Sequence, residues 1–271
     1  MLKTRVKTAA VLVIAGAILL YFSYIPTVMR CAAAVLALIA AWELYGVCGY
    51  PRKSIPFVLS LGIAGALPFL PLPDYALALA VIFPLTVLLF ALEARDLTRF
   101  ALFGRGTAFV FSLAISLLFK AFPLLREGPN GLYRFLLPIA VCVVTDTAAY
   151  FVGRALGKHK LAPKISPGKS VEGAVGGTLG ALVLTGAIAA IVAACGGPAP
   201  RWVALLLYAL TASLLGQAGD LSLSVLKRIT GVKDYGKLMP GHGGVLDRFD
   251  SMLFAVPYTL LFLRLFPVFA G

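Results

Sequence analysis

The chain has 271 residues, of which 61% are hydrophobic and only 13% charged. That balance excludes an ordinary soluble domain, where about a quarter of residues are charged, and excludes disorder, which needs low hydrophobicity and high charge. The 24 Lys and Arg exceed the 11 Asp and Glu by a net +13, which in so apolar a chain points to anionic lipid or phosphate before nucleic acid.

A bilayer core of about 30 Å takes roughly 20 apolar residues as a helix. Residues 8–29 carry no Asp, Glu, Lys or Arg and follow Lys3, Arg5 and Lys7. No small-residue cleavage site comes after them and a second apolar stretch begins at once, so a retained span is expected rather than a signal peptide. Further spans are expected at 31–49, 54–73, 75–92, 106–122, 133–152, 173–195, 202–219 and 251–269. The least regular are the second, which contains Glu43, and the fifth, which ends at Lys120. With the N-terminus inside, only Arg30, Lys120, Arg126, Arg134, Arg201 and Arg264 fall on the outer side. All other Lys and Arg fall on the cytoplasmic side, as the positive-inside rule requires. The expected fold is therefore all-α, a polytopic membrane bundle of about nine helices with its N-terminus in and its C-terminus out. Residues 1–130 supply five spans. Residues 131–271 supply the remaining spans with two polar, Gly-rich cytoplasmic loops, 153–172 and 227–250. Neither loop can bury a core of its own. No internal repeat is evident, which weighs against an inverted-repeat transporter.

Cys31, Cys48, Cys142 and Cys195 form no CxxC pair and lie in or beside apolar stretches, so buried thiols are expected rather than disulfides or a zinc site. His159 and His242 are too far apart in sequence to nucleate a metal cluster.

Charge is scarce, so its placement carries information. Asp146 lies mid-span in Val-Thr-Asp-Thr-Ala-Ala-Tyr, where a carboxylate costs at least about 2–3 kcal/mol unless it meets a partner or a polar cavity. A structural pair with a cation is one reading, and a metal or substrate site the other. Asp220 ends the eighth span, and its helix is expected to run on through Ser222, Ser224, Lys227 and Arg228. Asp247 and Asp250 are three apart at the start of the ninth span, one helical face near a helix N-terminus. Simple N-capping accounts for one such acid. Hard carboxylate oxygens suit Mg²⁺ shared with substrate phosphates. Lys158, Lys160, Lys164, Lys169, Lys227, Arg228, Lys233, Lys237 and Arg248 supply the opposite charge, although cytoplasmic loops are basic anyway. Glycines 231, 236, 241, 243 and 244 would let backbone N–H groups approach phosphate. Carboxylates, cations and a Gly-rich turn together are what phosphoryl or nucleotidyl transfer requires. A P-loop is excluded: Gly168-Lys169-Ser170 has the right tail, but residue 163 is Pro and no strand is expected before it. Gly173, Gly177 and Gly176, Gly180 form two small-xxx-small pairs suited to close helix packing.

Three stretches resemble the phosphatidate cytidylyltransferases (CDP-diacylglycerol synthases). Ser224 to Asp250 fits S-x-x-K-R-x4-K-D-x-G-x4-G-H-G-G-x-x-D-R-x-D, with Met239 a conservative departure. Ser166 to Gly173 is similar to S-P-x-K-[ST]-x-E-G, and Asp146 to Gly153 to D-x-x-A-Y-x-x-G. The resemblance covers roughly the C-terminal half. It implies CTP + phosphatidate → CDP-diacylglycerol + diphosphate, dependent on Mg²⁺ with room for a second cation, at the cytoplasmic face of a membrane. On that reading Asp220 and Asp247 hold the metal pair, with Asp146 and Asp250 as additional ligands or supports. Lys169, Lys227, Arg228, Lys237 and Arg248 neutralise substrate and leaving diphosphate. His242 either binds phosphate or holds the glycine turn. Ser166, Ser170, Glu172, Lys233, Gly243 and Gly244 contact substrate. Expected partners are CTP, phosphatidate and membrane lipid, with no nucleic acid; a homodimer is left open. Compact size without a soluble extension suggests a bacterial inner-membrane protein. Two rivals remain: a CTP-dependent polyprenol or phytol kinase-like enzyme, which would release CDP, and an ion-coupled transporter, which would not consume CTP.

Overall fold

The computed structural model describes residues 2–49, 51, 54–71, 75, 81, 100–241 and 243–269. The expected fourth span, 75–92, and His242 lie outside these residues, apart from positions 75 and 81. The helices are α1 (Leu2–Tyr21), α2 (Pro26–Val47), α3 (Ile55–Ala66), α4 (Phe100–Arg126), α5 (Gly131–Leu156), α6 (Val171–Ala194), α7 (Trp202–Ile229), α8 (Leu246–Phe249) and α9 (Met252–Leu265). Among the described residues six helices are long and apolar enough to cross a membrane: α1, α2, α4, α5, α6 and α7. Large apolar side chains such as Val13, Ile14, Val183 and Ile191 are exposed on them, which suits lipid rather than water. The chain is an α-helical membrane protein. The third and ninth expected spans appear as shorter apolar helices, Ile55–Phe69 and Met252–Leu265.

One element departs from an all-helical chain. The expected loop 153–172 is short because α5 runs on to Leu156. Between α5 and α6 the chain forms an antiparallel pair, β1 (Lys160–Ala162) and β2 (Ser166–Ser170). A strand therefore does lead into α6, contrary to the expectation from sequence. Gly168-Lys169-Ser170 lies within that strand, so the phosphate-wrapping loop of a P-loop is still missing.

The chain divides into two compact units: Met1–Glu127 with Val225–Asp250, and Gly128–Ser224 with Ser251–Gly271. Residues 225–250 belong with the first unit because they bury Tyr235, Val245, Leu246 and Asp247 there and bond to Glu43 of α2.

In the first unit α2 starts at a proline, whose missing N–H costs nothing at that position. It packs on α3 and α4 through small residues, Ala33, Ala37, Ala40 and Ala41. Tyr45 bonds Ser60 of α3 at 2.9 Å. Lys120, which made the fifth span irregular, sits in α4 with its ammonium donating to the carbonyls of Leu67 and Leu70. Those carbonyls belong to the 3₁₀ turn ending α3 and to the residue after it. The cation closes a helix end, and α4 continues past it to Arg126.

The second unit is built on the contact between α5 and α6. A Cβ added at Gly173 or Gly177 would lie 2.8 Å from the carbonyl oxygen of Ala149 or Thr145, and one at Gly180 would press on Ala148. The small-xxx-small pairs therefore set how closely α6 approaches α5. Hydroxyls then lock α7 to both: Thr145 donates to Ser213, Ser213 to Thr178, and the Gln217 amide to Thr178 at 3.0 Å. Replacing Gly177 by Val should separate the two helices and cost about 1–3 kcal/mol by overpacking. Thermal unfolding in detergent measures this, and an unchanged midpoint would contradict the packing assignment.

Candidate active site

The close α5–α6 approach places Asp146 beside the N-terminus of α6. In the second unit a cleft of about 340 Å³ is lined by Asp146, Tyr150 and Arg154 of α5, Lys169 of β2, and Gln217 and Asp220 of α7. Lys169 Nζ meets Asp220 Oδ2 at 2.5 Å, with about a quarter of each side chain exposed. Two carboxylates and two cations thus share one cleft. Gln217, one turn before Asp220, is held by Thr178 and Ser213, which fixes the α7 face that presents Asp220. Gln217 and Arg154 were not among the expected site residues. The sequence signal for Gln217 was a lone amide in an apolar span three residues from an acid.

Ser170 and Glu172 lie at the same helix start but chiefly shape it. Ser170 caps α6, its Oγ accepting the Gly173 N–H at 3.1 Å. Glu172 accepts from the backbone N–H groups of Lys158 and His159 and pairs with His159 Nδ1 at 2.6 Å, pinning the start of the hairpin. Ser166 pairs with Ala162 in the strand ladder.

In the first unit Asp247 is the hub. Only 3% of its side chain is exposed. Its Oδ1 accepts from Lys227 Nζ at 2.9 Å, and its Oδ2 from the N–H groups of Tyr235 at 2.8 Å and Gly244 at 2.9 Å. Lys227 Nζ also stands 5.5 Å from the Tyr235 ring centre. Asp247 therefore does more than cap one helix. It is a charged anchor for a loop, and three donors already occupy its oxygens. Asp247 and Asp250 also do not open the ninth span on one long helix: Asp247 sits in the one-turn α8 and Asp250 ends it, before α9. Arg228, Lys233, Lys237 and Arg248 are at least partly exposed. Gly243, at φ +83°, takes a conformation other residues resist, and a Cβ there would meet the Asp247 carboxylate. Gly244 gives its N–H to Asp247, and Gly236 and Gly244 abut Glu43, so these glycines serve carboxylates of the chain itself.

Burial, and next the negative charge of Asp247, hold the Tyr235 hydroxyl well above its usual value near 10. The folded phenol stays neutral where an unfolded one ionises. Its contribution to stability is therefore complete below about pH 10 and lost as the pH rises further. Alkaline unfolding should shift to higher pH in Tyr235→Phe, read by thermal midpoints from pH 8 to 12; an unchanged profile would contradict the burial. Cys48, just past α2, has its thiol pushed up to about 11 by burial. The expectation of buried thiols holds for Cys142, whereas Cys31 and Cys195 are exposed on the apolar surface.

Among the described residues no three His, Cys, Asp or Glu side chains cluster as a ready metal site. Asp146 and Asp220 both line the cleft, and carboxylates are the donor type that Mg²⁺ takes, one or two at a time, with its remaining ligands from phosphates and water.

Helices of a membrane protein that carry carboxylates beside cations define a class of membrane enzyme suited to phosphate chemistry. The chain belongs to the cytidylyltransferase family, whose profile matches residues 3–266. It is 35% identical over 271 residues to a phosphatidate cytidylyltransferase of Staphylococcus saprophyticus, covering 94% of this chain and 96% of that one. It is 34% identical over 253 residues to one of Staphylococcus haemolyticus, covering 91% and 90%. A 128-residue match to the phosphatidate cytidylyltransferase of Bacillus subtilis reaches 54% identity and spans 46% of each chain.

Proposed function

We propose that this protein is a phosphatidate cytidylyltransferase, transferring the cytidylyl group of CTP to phosphatidate with release of diphosphate. The observation that carries the reading is the Asp146–Lys169–Asp220 cleft, in a chain whose relatives bear that name over most of their length. A phosphatidate oxygen attacks the α-phosphorus of CTP, and the bond from that phosphorus to the β-bridging oxygen breaks. The phosphate nucleophile is already ionised, so no strong general base is needed, and catalysis is positioning and charge neutralisation. Lys169 and Arg154 in the cleft neutralise substrate phosphates and the departing diphosphate. Asp146 and Asp220 would hold Mg²⁺, which when bound neutralises triphosphate charge.

We further infer nine spans with the N-terminus in the cytoplasm. Thr8 donates to the Pro240 carbonyl at 3.1 Å, and the C-terminal part of α2 bonds the same segment through Glu43. The start of α1, the end of α2 and residues 225–250 thus share one end of the first unit. Lys3, Arg5 and Lys7 in the sequence at that end favour the cytoplasm, which supports placing residues 225–250 on the cytoplasmic face of the cell membrane.

The reading is tested by purified protein in detergent with CTP and Mg²⁺. Diphosphate should be released only when phosphatidate is added and should cease on chelation with EDTA. CTP consumption that ignores phosphatidate, or yields CDP, would overturn it.

A further inference from the structure

We propose that Glu43 is a positioning residue that clamps the 235–247 loop from within α2 and so holds the Lys227–Asp247 pair in place for the reaction. The proposal rests on the assignment of this loop to cytidylyl transfer.

Glu43 is 1% exposed, in a helix otherwise nearly free of charge. A carboxylate buried so deeply is tolerated only when its oxygens are bonded. Here Oε1 accepts the N–H of Val245 at 2.9 Å and Oε2 that of Leu246 at 3.0 Å, about two hundred residues away in the chain. The neighbouring N–H, of Gly244, goes to Asp247. Three successive amides, 244 to 246, are therefore all taken by carboxylates of the protein. Glu43 holds the loop from α2, and Asp247 ties it back to Tyr235 and Lys227.

Two glycines record the same contact. A Cβ at Gly236 or Gly244 would run into the Glu43 carboxylate. Neither residue has the positive φ that would demand glycine on backbone grounds, unlike Gly231, Gly241 and Gly243. What excludes a side chain at 236 and 244 is the space Glu43 occupies. Glu43 is not among the residues lining the Asp146 cleft, so it acts only through the loop.

The test compares the full chain in lipid nanodiscs with Glu43→Gln, Glu43→Ala, Gly244→Ala and Glu43→Ala/Gly244→Ala. Readouts are kcat, KM for CTP, thermal midpoint, and hydrogen exchange of the peptides carrying Val245 and Leu246. Gln keeps the shape and loses the charge. It should lower kcat about tenfold, leave KM for CTP within about threefold, and speed exchange at 245–246 about tenfold, as weakening charge-assisted bonds predicts. Exchange in α3 and α4 should not change. Gly244→Ala should show the same local pattern, and adding Glu43→Ala to it should cause no further loss, since the two changes break one contact. Unaltered kcat and exchange in Glu43→Gln would overturn the proposal. So would faster exchange spread evenly through the first unit, which marks a mere packing role, or additive losses in the double variant. An unaltered protein that consumes no CTP would sink the enzymatic reading alone; the exchange comparison would still decide the clamp.

Discussion

Asp247→Asn is expected to abolish turnover and also to destabilise the protein by about 3–5 kcal/mol, the usual cost of breaking a buried ion pair from one side. Lys227 has 12% of its side chain exposed and Asp247 only 3%, so the ammonium left behind cannot rehydrate freely. The asparagine can still accept from Tyr235 or Gly244, but its amide would point donors at a cation. From sequence alone Asp247 reads as a metal-site acid; the three donors around it in the structure make it an anchor of the loop as well. A second variant separates the two effects. Lys227→Met/Asp247→Asn removes the stranded charge and should recover about half of the lost stability, while turnover stays absent. Thermal unfolding and diphosphate release measured side by side decide this. An Asp247→Asn protein as stable and active as the parent would contradict the anchoring role.

The second large effect is expected at Asp220, with the opposite balance. Asp220→Asn should reduce turnover on the order of a hundred- to a thousandfold, as loss of one preorganised charge in an active site commonly does. Stability should change by less than about 1 kcal/mol, because the Lys169–Asp220 pair is a quarter exposed and solvent screens it. Asp146→Asn should behave alike, and in both variants the Mg²⁺ concentration giving half-maximal turnover should rise. Half of the parent activity at ordinary Mg²⁺ in Asp220→Asn would remove the cleft from the reaction.

These contrasts show which parts of the site can be read along the chain. The long spans were legible because apolar length alone determines them. That α6 packs closely on a neighbour was legible because Gly173, Gly176, Gly177 and Gly180 repeat at helical spacing, although the partner, α5, was not. Asp146 and Asp220 stood out because charge in or beside an apolar span must be compensated, and Lys169 because it falls in the S-P-x-K-[ST]-x-E-G stretch. Their convergence on one cleft was not visible, since it depends on the hydroxyl and amide bonds that join α5, α6 and α7. Nor was the hairpin, whose few residues show no regular alternation of apolar and polar positions. Glu43 was least legible of all: in sequence it only weakens a span, and its two amide partners lie at the other end of the chain. Tyr235 is similar, an aromatic in a polar loop whose burial depends on Lys227 and Asp247.

The fate of label from CTP tests the assignment most directly. The purified protein is given phosphatidate vesicles, Mg²⁺ and CTP labelled at either the α- or the γ-phosphorus. Cytidylyl transfer places α-label in the extracted lipid and γ-label in free diphosphate, with both signals lost in Asp220→Asn. Appearance of γ-label in the lipid fraction, or equal transfer by Asp220→Asn, would contradict it.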